Sequence, residues 1–163
     1  MKLKTLIEAF LQGAEQNIKS DGKILPIFVF IHKDQVCMQP LIFENNQDKE
    51  DFSAYVKKLI EQDKISEYIM LTEAWTVHEK NLIETQEWMR KNGSLQNHPN
   101  RKEMVILQYS SVQEEISYTA EIIRGTIVSL DKWNATQNTL GFKPEHLSTR
   151  FQGLFIKGKA GLN

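Results

Sequence analysis

Five side chains near the middle of the chain have the types that acid–base or anion chemistry needs: Glu73, His78, His98, Arg101 and Glu103. Glu73 and His78 belong to residues 66–79, a run rich in aromatic and β-branched residues that predicts a long central strand. The other three come from His98-Pro99-Asn100-Arg101-Lys102-Glu103, a turn feeding the apolar strand Met104-Val105-Ile106-Leu107, because a residue before proline is pushed to an extended conformation. If the two strands are neighbours, all five groups meet at one end of a sheet. That constellation suits a small hydrolase or nuclease-like enzyme, with Glu73, Arg101 and Glu103 as polar site residues and His78 or His98 moving the proton. The bland alternative is an Arg101–Glu73 ion pair that fixes the register of two strands, and it carries the greater weight.

Other chemistries find no support in residue spacing. The four histidines (His32, His78, His98, His146) are scattered, with no His-x-x-x-His or Cys-x-x-Cys pair, so no metal is expected. No Gly-x-Ser-x-Gly occurs, and Cys37 falls in an apolar run that reads as core, where a thiol is inert. The glycines and lysines from Gly153 to Gly161 lack the Gly-x-x-x-x-Gly-Lys-Ser/Thr phosphate cradle, so no cofactor is expected either.

The elements that must position the five residues follow from length and patterning. A chain of 163 residues, 40% apolar and 25% charged, has the size and composition of one globular domain, 1–163. Its net charge of -1 supplies no global field for a phosphate backbone, which disfavours nucleic acid. Local positive excess is confined to Lys143, Arg150, Lys157 and Lys159, on a segment expected to be a mobile tail from about residue 157. A single cysteine excludes an internal disulfide and points to a reducing, cytoplasmic setting. Glu8 interrupts the N-terminal apolar run, and no run approaches the roughly 20 residues needed to cross a bilayer, so no membrane association is expected.

Leu3, Leu6, Ile7, Phe10, Leu11, Ala14 and Ile18 recur at helical spacing and predict a first amphipathic helix, stopped at Ser20-Asp21-Gly22. Residues 24–31 and 36–43 predict a β-hairpin with Pro26 and Pro40 at strand ends or edges. Asp48 is a candidate N-cap for a second helix carrying Phe52, Tyr55, Val56, Leu59 and Ile60, reaching about Lys64. The 80–102 connection holds a short helix over 84–91 ended by Gly93, with Leu82, Ile83, Trp88 and Met89 spaced to pack, and reads as a structural lid or arm rather than a substrate-gating loop. Strands at 103–110 and 116–130 pair antiparallel through a turn at 111–115. Residues 131–141 read as loop, with Trp133 as a core anchor, and 148–155 as a short helix. The sum is an α+β domain: an about five-stranded, mostly antiparallel sheet with both amphipathic helices on one face.

Glu73-Ala74-Trp75 in one strand, then Pro99-x-Arg101-x-Glu103 leading into the next, resembles a pattern in uncharacterised prokaryotic and phage-encoded α+β proteins. The likeness covers a small part of the chain. It implies a related fold and a mobile-element origin, and brings no activity, cofactor or catalytic residue.

Three strands look apolar on both faces, while two helices can cover only one. Something must cover the other face. A binding or assembly module, forming a homodimer or taking a protein partner on a sheet face, is therefore the favoured reading, and the hydrolase or nuclease-like enzyme the alternative.

Overall fold

The computed structural model of the protein describes residues 3–77, 82–93 and 95–139. His78, the helix expected over 148–155 and the tail expected from about 157 lie outside the described residues.

A single 3-10 turn, Leu3–Leu6, leads into α1, Ile7–Asp21. Leu3, Ile7, Leu11, Ala14 and Ile18 are buried at three- and four-residue spacing, which is the stripe read in the sequence. Gly22 ends the helix in the left-handed region (φ 70°), and its amide donates to the Ile18 carbonyl at 3.0 Å.

β1 (Ile27–His32) and β2 (Gln35–Pro40) form the expected hairpin. Lys33 and Asp34 both have positive φ, 49° and 63°, which matches the twist of a two-residue turn between antiparallel strands. α2 follows at Asn46–Glu61. Its N-cap is Asn45, whose side chain accepts from the Asp48 amide at 2.9 Å; Asp48, the expected cap, instead accepts from the Glu44 amide.

Then come β3 (Glu67–Val77), α3 (Leu82–Asn92), β4 (Arg101–Ser111), β5 (Glu114–Arg124), β6 (Val128–Leu130) and β7 (Asn134–Thr139). The strand order is β2-β1-β3-β4-β5-β6, with β7 also on β5, and every pairing is antiparallel. β6 and β7 lie beside different stretches of β5, residues 122–124 and 114–119 respectively.

The α+β class and the antiparallel sheet stand, with three corrections. The described sheet has seven strands, because the strand expected over 116–130 breaks around Gly125 into β5 and β6, and 134–139, read as loop, is β7. The third described helix, α3, is the short one expected over 84–91. Cys37 is half-buried on an edge strand instead of lying in the core.

The third correction concerns the two main helices, which cover opposite faces. α1 packs on Val29, Ile69, Leu71, Val105, Leu107 and Ile122. α2 packs on Phe28, Tyr68 and Met70, the intervening residues of β1 and β3. Neighbours along a strand point to opposite sides, so β1 and β3 are buried from both faces and form the wall between two cores. This explains why residues 68–71 are apolar without alternation.

Candidate functional site

The predicted polar cluster rests on the pairing of β3 with β4, and that pairing is present. In its register Glu73 stands opposite Val105, Trp75 opposite Glu103, and Val77 opposite Arg101. Arg101 is therefore four residues from the position opposite Glu73, about 13 Å at the usual strand rise.

Each described member makes a different contact. Glu73 accepts from the Ile24 amide at 2.8 Å and so holds the α1–β1 connection. Glu103 accepts a hydrogen bond from the Arg124 guanidinium, which also donates to the Gly22 carbonyl at 3.1 Å. The bond to Glu103 raises the Arg124 pKa, and Glu73 adds to the effect. Arg101 lies over the Trp75 ring, 5.2 Å from its centroid, and donates to the His98 carbonyl at 3.3 Å. His98 is buried, its ring edge-on to Trp88 at 4.7 Å and its Nδ1 accepting from the Asn100 amide.

The structure thus brings Glu73 and Glu103 together around Arg124, and Arg101 together with His98. It does not bring Glu73 to Arg101. Arg124 went unnoticed in the sequence because nothing local links it to Gly22, more than a hundred residues earlier.

A second polar group escaped the sequence reading altogether. On the face away from α1, Tyr68, Ser110 and Glu115 form one row across β3, β4 and β5, and Gln108 and Ser117 are direct partners in the next. All five are buried. Ser110 donates to Glu115 at 2.7 Å and Gln108 to the Tyr68 hydroxyl at 3.5 Å. Burial pushes the Tyr68 phenol well above its usual pKa. The turn expected over 111–115 is shorter: the strands meet across Val112 and Gln113, which carries Glu115 into β5. Alternation of Glu115, Ser117, Thr119 and Glu121 looks like a solvated face, so no signal in the sequence marks its burial.

The third feature is apolar. β2 is the end strand of the described sheet, and its Val36 and Met38 lie on the α1-side face beside Ile31 and Val29. The core beneath α1 stops at β1: Val36 remains 43% exposed and Met38 60%. The alternation continues past the strand, since Leu41 and Phe43 pack under α2 while Ile42 between them is 80% exposed. Leu25, just before β1, is 63% exposed at the same end. Four large apolar side chains therefore stay wet along one margin of the molecule. Beside Ile42, an open groove of about 580 Å³ runs between this margin and α2, lined by Pro40, Phe43, Asp48, Phe52 and Tyr55.

Among the described residues, no three His, Cys, Asp or Glu side chains are grouped to hold a metal ion. No helix there is long and apolar enough to cross a membrane. No protein-family model, curated protein or solved structure matches the chain.

Proposed function

We propose that the chain is a non-enzymatic assembly module that self-associates through the β1–β2 margin of its sheet. The observation that carries this reading is the run of Val36, Met38, Ile42 and Leu25, apolar and exposed on one side of the sheet. Scattered surface hydrophobes are ordinary, but contiguous ones along a sheet margin mark a surface that is covered in use. Support also comes from how the polar candidates are employed. Glu73, Glu103, Arg101 and His98 each make an intramolecular contact that fastens a loop, a strand or an aromatic ring.

Sedimentation equilibrium across the micromolar range tests the reading. The native chain is expected to associate, and Ile42→Lys combined with Met38→Lys to shift it to monomer with an unchanged circular dichroism spectrum. A native chain that stays monomeric throughout overturns the proposal.

A further inference from the structure

The exposed margin is also a hydrogen-bonding edge. The Leu41 amide donates to the Pro26 carbonyl at 2.9 Å, continuing the β1–β2 ladder by one residue beyond Pro40. Residues 35, 37, 39 and 41 therefore turn their amides and carbonyls toward β1, and the backbone groups of Val36 and Met38 point the other way. The two-residue turn at Lys33 and Asp34 sets the same phase, because residues flanking such a turn form a hydrogen-bonded pair.

Folded proteins guard an open edge with lysine, with an inward-pointing charge, or with a bulge. β2 has none of these: Gln35-Val36-Cys37-Met38-Gln39 contains no charged residue, and its one-to-one register with β1 is unbroken. Only Pro40, at its end, limits pairing.

This segment is chemically the same read in either direction, Gln-apolar-Cys-apolar-Gln. A two-fold axis through Cys37 would set β2 antiparallel to β2 of a second copy, with Val36 opposite Met38 at both ends. Each of those pairs exchanges two N–H···O=C bonds, using every outward amide of the segment. The self-complementary pattern also places Gln35 against Gln39 of the second copy, where each side-chain amide offers both a donor and an acceptor.

Other two-fold registers do worse. Centring on Met38 sets Val36 against Pro40, which has no N–H to give. Centring on Val36 sets Met38 against Asp34, which is in a left-handed turn conformation and not extended.

We infer that two copies of this chain join edge to edge through β2, paired antiparallel about Cys37, to form one continuous sheet. The inference rests on the self-association proposed above and specifies its partner, strand and register. The apolar side chains of both copies then fall on the same side, Val36 beside Met38 of the second copy, so the edge and the Val36–Met38 part of the exposed stripe are covered in one step.

Cys37 provides the test, being the only cysteine in the chain. In this arrangement the two Cys37 residues form a non-hydrogen-bonded pair, the closer of the two antiparallel spacings. Diamide, which takes up the two hydrogens as two thiols become one disulfide, should link the native dimer covalently. Met38→Lys should lose both the link and the dimer, whereas Cys37→Ser should lose only the link. Hydrogen exchange at the Val36 and Met38 amides should slow as protein concentration rises.

A chain that sediments as a dimer but forms no Cys37–Cys37 link, or shows no concentration-dependent protection of those two amides, overturns the β2 pairing and leaves self-association standing. Linking that is equally fast in Met38→Lys overturns the pairing as well. A monomer overturns both.

Discussion

Ser110 donates a 2.7 Å hydrogen bond to the Glu115 carboxylate directly across the β4–β5 hairpin, and both residues are buried. A carboxylate out of water depends on its donors far more than an exposed one does, so this short bond carries more weight than its length of sequence separation suggests. Ser110→Ala removes the donor and leaves the charge in place. Stability should fall by about 2 kcal/mol, the usual loss when a buried charged group loses a partner. Urea unfolding would measure it, and a change near zero would show that the bond contributes nothing.

Two glycines of the same helix should respond in opposite directions to alanine. Gly13 lies inside α1, and a methyl group there would meet no atom within 4 Å. Gly13→Ala should stabilise the protein by about 0.5–1 kcal/mol through the smaller entropy of the unfolded chain. Gly22 holds the left-handed cap at φ 70°, where a methyl group would come within ordinary contact of Arg124 Nη1 but the backbone would be strained. Gly22→Ala should cost about 1 kcal/mol. Thermal melts of both variants check the pair, and the same sign for both would contradict the account.

Alkaline pH should loosen the fold through Tyr109. Burial chiefly pushes this phenol from 10.0 up to about 12; a hydrogen bond with Ser111 opposes the rise, and the 3.0 Å bond to Glu67 adds to it. The folded state therefore keeps a proton that the unfolded chain releases near 10. The stabilisation is complete below that pH and is lost as pH rises toward 12. Tyr68 shifts in the same direction and adds to the loss. Tyr109→Phe should make stability fall less steeply between pH 10 and 12 in a urea series; an identical slope would show that Tyr109 is not the titrating group.

The local parts of this architecture were readable from residue patterns. Leu3 to Ile18 repeat every three or four residues because one side of α1 meets a sheet. Ile69, Met70 and Leu71 are apolar in succession because β3 has a core on either side. What escaped depends on partners distant in sequence. Asn134 to Thr139 has no apolar period, and it is a strand because β5 offers it an edge. Which face receives α2 follows from how the chain crosses the sheet after β2, and no residue of α2 announces it. The Glu73–Arg101 contact failed through register alone. Once Val77 sits opposite Arg101, Trp75 is the nearer partner, and an aromatic face takes the guanidinium.

β3 has a further consequence through its position between the two cores. Were it to slip by a single residue against its neighbours, Tyr68 and Met70 would turn toward α1 while Ile69 turned toward α2, and both helices would lose their footing at once. Neither helix can let go of this strand without disturbing the other's grip. α1 and α2, which lie on opposite sides of the sheet, should therefore melt in a single transition.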